Sequence, residues 1–276
     1  MSALPAARHR FAGHRFAGVA ATGIVGLLLL PFVPLVLTSL SRGYFHPQVL
    51  PAEWSLRAWS RVLAPGSAAW PALADTVVVA LAVTATSLLV GIPAGRVLGA
   101  HRFRGRRVVE VALLTPVLVP TIAVALGIHV VMIRLGLDGG RLGVVLVHLV
   151  PATPYVVLLT SGVFANADLE LEAQARSLGA SRRQAWWHVT RPLVAPGIAV
   201  AALFGFLVSW GQYALTLVIG GGRVVTLPIL LFASASGGDE AVTAAVALFH
   251  GLPAVVALVF MARVLGRGVP TVAGVR

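Results

Sequence analysis

Six stretches of this chain contain no arginine, aspartate or glutamate: 17–40, 76–95, 111–133, 142–165, 192–222 and 241–262. Each is close to or longer than the roughly 20 residues a helix needs to cross about 30 Å of hydrocarbon. No water reaches backbone groups inside a bilayer, so such runs must close their hydrogen bonds internally, as helices do. Prolines and glycines are frequent within them, as membrane helices tolerate. With 58% hydrophobic and 11% charged residues, too little polar surface remains to cover a water-soluble core. The predicted fold class is all-α, a polytopic membrane protein with six transmembrane helices. Residues 1–16 are expected to form an N-terminal arm and residues 17–276 a single transmembrane domain. The first run follows Arg8, Arg10 and Arg15, as the core of a signal peptide would. It has no clear small-x-small cleavage site and continues through Pro31 and Pro34, so an uncleaved signal-anchor helix is expected.

Arginine alone carries the positive charge: all 21 basic residues are Arg, and the chain has neither lysine nor cysteine. A Walker A lysine, a Schiff-base lysine, a disulfide and a thiolate nucleophile are thereby excluded. The net charge of +12 would suit a nucleic-acid binder, but the arginines sit in short loops between apolar runs. There they favour anionic lipid headgroups, and no nucleic-acid partner is expected. Placing the N-terminus inside puts 15 arginines (8, 10, 15, 96, 102, 104, 106, 107, 176, 182, 183, 191, 263, 267 and 276) in the cytoplasm. Six (42, 57, 61, 134, 141 and 223) then lie outside. That positive-inside bias predicts cytoplasmic N- and C-termini. The outer loops 41–75 and 223–240 carry Trp54, Trp59 and Trp70, read either as partner contacts or as interfacial anchors.

The longest inner loop, 166–191, is the most structured on paper. Asp168 can cap a short helix whose first turn holds Glu170 and Glu172, where the helix dipole favours negative charge. Gly179 can end it in the left-handed conformation. Ser181 can cap a second short helix, which Pro192 is expected to close before the fifth span. The outcome is a compact helix–turn–helix knob, either a docking element for a cytoplasmic partner or an ordinary connector.

This loop resembles the EAA signature of inner-membrane permease subunits of binding-protein-dependent ABC importers (E-A-A, three residues, Gly, nine residues, I-x-L-P). Gly179 and Pro192 keep the spacing, with Ala175-Arg176-Ser177-Leu178 before the glycine and Val189 at the isoleucine position. Ala173-Gln174 replaces the Glu-Ala pair, with Glu172 one place upstream, and Arg191 replaces the leucine. The resemblance extends from about Thr76 to the C-terminus: Arg102–Arg107 with Leu114-Thr115-Pro116 and Pro120, His148 through Pro154-Tyr155, and Ser209–Gly222 with Thr226-Leu227-Pro228. Its details are most similar to the branch handling spermidine/putrescine, ferric iron, thiamine and aminophosphonates.

The resemblance implies a non-enzymatic permease of the bacterial inner membrane forming half of a solute pathway. It further implies a small charged solute such as a polyamine, iron, thiamine or an aminophosphonate. The implied partners are a separate ATPase subunit that binds the ATP, a second permease (paralogue or self), an extracytoplasmic solute-binding protein and membrane lipid. No cofactor or metal of the chain's own is implied. The implied ATPase-coupling residues are Glu172, Ala175, Leu178, Gly179, Ala180, Ser181, Arg182 and Pro192.

At membrane depth only His129, His148 and His250 could titrate. They are read as a proton relay or as interhelical hydrogen-bonding groups. An ion-coupled secondary transporter, the alternative function, would need ionisable groups there. Trp210, Gln212 and Tyr213 are candidate pathway-lining residues or interhelical hydrogen-bonding ones. Gly91, Gly95 and Gly99 form a small-residue face for contact with a second permease or for packing within the subunit. Asp75 is read as a helix cap at the start of the second span or as a lure for cationic solute. No H-E-x-x-H or G-x-S-x-G motif supports catalysis.

Overall fold

A computed structural model describes residues 29–44, 48 and 50–268, together with positions 23, 26 and 27. The arm 1–16 and positions 17–22, 24, 25 and 28 of the first apolar run lie outside the described residues; the rest of that run includes α1 (Phe32–Ser39). The remaining elements are α2 (Arg57–Leu63), α3 (Ala69–Ala100), α4 (Arg106–Leu118), α5 (Thr121–Arg134) and α6 (Arg141–Asn166). They are followed by α7 (Glu170–Ser177), α8 (Arg182–Ala185), α9 (Arg191–Trp210), α10 (Ala214–Gly220), α11 (Leu227–Ser236) and α12 (Glu240–Gly268). Among the described residues there is no strand beyond an isolated bridge between Ser41 and Trp54.

Among the described residues four helical stretches are long and apolar enough to cross a membrane: α3, α6, the continuous stretch Arg182–Trp210 and α12 over Glu240–Arg263. The run 111–133 departs from expectation. Its helices α4 and α5 meet at 98°, so it is a broken element and not a straight span. Val119 is extended (φ −76°, ψ 135°) immediately before Pro120, because the proline ring disfavours helical geometry in the preceding residue. The run 192–222 is also divided. Here α9 ends at Trp210, and α10 resumes only after Gly211–Tyr213. The region 223–240, expected as a loop, contains the apolar helix α11, whose 10 residues reach only about 15 Å.

Packing follows small residues. Gly91, Gly95 and Gly99 line the face of α3 against α6, and a Cβ at any of them would strike Val156, Thr160 or the α6 backbone near Ser161. The small-residue face is thus used inside the subunit. The Thr160 hydroxyl donates to the Gly91 carbonyl across this seam at 2.9 Å. A core of Val79, Val83, Val144, Val147, Leu215 and Ile219 joins α3, α6 and α10. His148 is buried within this region. One ring nitrogen lies 3.0 Å from the Ser209 hydroxyl and the other 2.9 Å from the Thr216 hydroxyl. Both nitrogens are therefore occupied in interhelical bonds, the structural alternative for this histidine.

Asp75 is not a cap. The helix begins at Ala69, and Asp75 lies inside it, paired with Arg141 at 2.7 Å at the start of α6. The charge-free run underestimated α3 because an ion-paired carboxylate is compatible with helix continuation.

Candidate functional site

The knob between α6 and α9 is built from local hydrogen bonds. The N-cap position of α7 is Leu169, one residue later than expected, while Asp168 accepts the Glu170 N–H at 3.1 Å. At the other end Gly179 has φ +96°. The Ala180 N–H donates to the Ala175 carbonyl at 3.1 Å and the Gly179 N–H to the Arg176 carbonyl at 3.0 Å. These paired bonds are a Schellman motif, in which the left-handed residue lets the chain double back and satisfy two helix-end carbonyls. Ser181 then starts α8 with a reciprocal capping box: its N–H donates to Gln184 Oε1 at 2.8 Å, and its hydroxyl accepts the Gln184 N–H at 3.3 Å. Helix, turn and helix are thus held by local backbone and capping hydrogen bonds. The tip, Leu178 to Arg182, projects outward, and Leu178 is 89% exposed.

Pro192 does not close α8. The five residues Trp186–Thr190 form a π-helical turn, with the Arg191 N–H reaching the Trp186 carbonyl, and α8 flows through it into α9. Pro192 is the second residue of α9, where its ring removes one N–H from the continuous ladder. The wide π turn just before it makes room for the ring. The resulting 29-residue stretch is about 43 Å long, more than the hydrocarbon needs. Its first turns, carrying Arg182, Arg183 and Arg191, are therefore not needed to span the hydrocarbon.

The knob is tied to the membrane helices through Glu172. One terminal nitrogen of Arg96, in the last turns of α3, lies 2.9 and 2.8 Å from the two carboxylate oxygens. The buried Thr190 hydroxyl, in the π turn, donates to Glu172 Oε2 at 2.6 Å. Burial opposes ionisation of Glu172, but the Thr190 hydrogen bond and the Arg96 guanidinium outweigh it and hold the carboxyl below its ordinary range. Arg96 also lies over the Trp186 ring, 5.3 Å from its centroid, and Trp186 stacks on Phe164 of α6. One carboxylate therefore connects α7, α3 and the start of α9, with α6 behind them. Sequence reading did not single out Arg96 or Thr190. A usable signal for Arg96 was its place at the membrane end of α3, where a lone cation needs a partner.

The pathway candidates are not part of this site. Trp210, Gln212 and Tyr213 lie at the far end of α9. Trp210 is 3% exposed, donates its indole N–H to the His250 carbonyl at 3.1 Å, and stacks between Phe206 and His250. It is a packing residue between α9 and α12, because an indole can bury its apolar body while its N–H is satisfied. Tyr213 stacks on Phe232 at 4.0 Å, and Gln212 is half-buried in the break between α9 and α10.

Residues 91–269 match the family described as the binding-protein-dependent transport system inner membrane component. The molybdenum transport system permease protein ModB of Mycobacterium tuberculosis is 32% identical over 237 residues, covering 80% of this chain and 86% of that protein. The putative 2-aminoethylphosphonate transport system permease protein PhnV of Salmonella typhimurium is 28% identical, covering 83% and 88%. In fold, the chain superimposes on a bacterial ABC transporter involved in the import of the acidic polysaccharide alginate. The TM-score there is 0.67 at 22% identity, over 98% of this chain and 100% of that one. The ion-coupled secondary transporter is set aside on these grounds. Charge-free apolar runs, a Schellman-capped knob at the membrane face and these matches converge: the chain belongs to the inner-membrane component family of binding-protein-dependent transport systems, as a multi-pass permease subunit of an ABC importer.

Proposed function

We propose that the chain crosses the membrane six times with both termini in the cytoplasm, and that loop 166–191 is the site through which a separate ATPase subunit drives it. The carrying observation is Leu178 at the tip of the knob: a large apolar side chain, 89% exposed, on a turn whose backbone is already satisfied. An isolated exposed leucine is unremarkable, but one on a rigid projection suits insertion into a partner's cleft. Ala175, Gly179, Ala180 and Ser181 shape the turn, Arg182 flanks the tip, Glu172 ties it to α3, and Pro192 lies where α9 enters the bilayer. The ATPase would supply all nucleotide chemistry, so this subunit needs no cofactor or catalytic residue. Coupling requires an interaction that differs between the two states of the transporter, and the Arg96–Glu172–Thr190 junction supplies a route from the knob to the spans.

A second permease, paralogue or self, would complete the pathway, and a solute-binding protein would deliver solute to the opposite face. The names of two relatives, for molybdenum and for 2-aminoethylphosphonate, support a small charged solute. The test is co-purification of tagged permease in mild detergent. Wild type is expected to retain an ATPase with a Walker A lysine and a second permease. Leu178→Asp is expected to lose the ATPase while keeping the wild-type thermal unfolding midpoint, since Leu178 makes no core contact. Retention of the ATPase by Leu178→Asp would exclude the knob as its dock.

A further inference from the structure

Beside the knob, on the same face, a separate groove runs between α3, α4 and α6. Its volume is about 380 Å³, and its lining includes Ala94, Val97, Phe103, Val109, Leu113 and Thr153. The walls are apolar, and the Thr153 hydroxyl is engaged by Ser87 at 3.2 Å. From Val90 at its floor to Leu98 near its mouth the groove follows eight residues of α3, about 12 Å of helix. That depth and apolarity suit a hydrocarbon chain.

The mouth has the opposite character. The link from α3 to α4, residues 101–107, reads His-Arg-Phe-Arg-Gly-Arg-Arg and holds four arginines and no acid. Gly105 at φ +90° turns the chain into α4, and Phe103, between Arg102 and Arg104, lines the groove itself. Arg106 is engaged by Glu110 at 2.8 Å. Among the described residues no carboxylate pairs with Arg102, Arg104 or Arg107, all exposed. Three exposed arginines without a carboxylate partner therefore lie in the link whose Phe103 lines the apolar slot.

We propose that this groove binds one acyl chain of an anionic phospholipid whose phosphate is held by Arg102, Arg104 and Arg107. Guanidinium groups suit phosphate through charge and directed N–H donors, and basic residues next to the membrane recruit anionic lipid. Charge complementarity selects this occupant over a second copy of the chain.

The test uses native mass spectrometry of the full-length permease complex purified in detergent. Phosphatidylglycerol and phosphatidylcholine with identical acyl chains are added as probes. Wild type is expected to retain phosphatidylglycerol preferentially. Each arginine replaced by glutamine is expected to cut that preference about fivefold, so in R102Q/R104Q/R107Q the preference falls about a hundredfold, phosphatidylcholine weakening less because its own choline offsets its phosphate charge. Ala94→Phe, which fills the groove, is expected to weaken both lipids and leave the preference between them. If the triple variant is not monodisperse, R104Q alone carries the test. Equal retention of the two lipids by wild type overturns the proposal, as does an arginine variant with wild-type preference. Cross-linking of Val97→Cys to a second permease in place of lipid also overturns it. Lipid retention is read without ATPase or transport, so its outcome is separate from that of the coupling proposal.

Discussion

Arg96 and Glu172, 76 residues apart in the chain, meet at 2.8 Å where the second apolar helix nears its end and the knob begins. The Glu172 side chain is 14% exposed and the Arg96 side chain 33%, so the pair is screened less than a surface ion pair. Thr190 adds a third partner on the π turn. Replacing Glu172 with Gln removes the charge but keeps the shape, and is expected to destabilise the junction by about 1–3 kcal/mol. Arg96→Gln should cost a similar amount and the double variant less than the sum, because the two residues act through one contact. Thermal unfolding of the purified complex measures the cycle, and strictly additive effects would show that the pair is not coupled.

The same junction has a defined pH dependence. The folded-state pKa of Glu172 is held below its unfolded value. Its contribution is therefore present above the ordinary carboxylate pKa and is lost as pH falls through the depressed folded value. Between pH 8 and pH 5 the stability difference between wild type and Glu172→Gln should stay flat, then shrink below about pH 4, near the ordinary carboxylate range. A difference that changes around pH 6–7 would point to a histidine instead.

At Gly179 the constraint is conformational. Its φ of +96° disfavours any side chain, yet a Cβ placed there meets nothing within 4 Å. Gly179→Asn should be tolerated, since asparagine visits positive φ most readily after glycine. Gly179→Val should cost about 1–2 kcal/mol and distort the turn. Binding of the ATPase to the two variants checks this: Asn near wild type, Val weakened. Equal loss with both would mean that the tip tolerates no side chain for reasons of contact, not strain.

These contrasts show where sequence was sufficient. Charge-free runs marked α3, α6 and α12 because lipid demands long apolar helices, and Gly179 followed by Ser181 marked the knob because caps are local chemistry. Breaks were harder. Pro120 bends the third run, but Pro93, Pro151, Pro154, Pro196 and Pro253 lie inside continuous helices, so proline alone does not distinguish a kink from a tolerated residue. The π turn at Trp186–Thr190 has no periodic signature, and α11 is too short to register as a span. Arg96, Thr190 and Glu172 converge through tertiary packing, which no local spacing encodes. For Trp210 the sequence left pathway lining and interhelical hydrogen bonding open, and its indole N–H is bonded to the His250 carbonyl.

The α3–α6 seam yields a paired prediction. A Cβ on Gly95 would lie 2.8 Å from the Ser161 amide nitrogen and collide with Thr160, whereas Gly162, on the outer face of α6, has open space. Gly95→Leu is expected to destabilise by about 3 kcal/mol or more, since the obstruction includes backbone that cannot yield. Gly162→Leu should be neutral or stabilising by a few tenths to about 1 kcal/mol through helix propensity. Thermal unfolding in one detergent compares them, and similar losses in both would contradict this packing.

On the opposite face Asp239 serves two roles that one substitution separates. Its Oδ1 accepts the Val242 N–H at 3.2 Å at the start of α12, and its carboxylate pairs with Arg57 at 3.0 Å and Arg61 at 3.1 Å from α2. Asparagine caps a helix about as well as aspartate, so Asp239→Asn removes the ion pairs and keeps the cap, while Asp239→Ala removes both. The arginine side chains are 40% and 59% exposed, so each pair contributes about 0.2–1 kcal/mol and fades with salt. The further loss on going to alanine should be about 1 kcal/mol and independent of salt. Burial opposes ionisation of Asp239, but Arg57 and the Val242 N–H prevail and hold its carboxyl below the ordinary value. The ion-pair contribution should therefore persist from neutral pH down to the ordinary aspartate range and disappear only below it. Unfolding midpoints of the three proteins at low and high salt measure both components, and a salt-dependent gap between the Asn and Ala variants would show that the cap and the ion pairs are not separable.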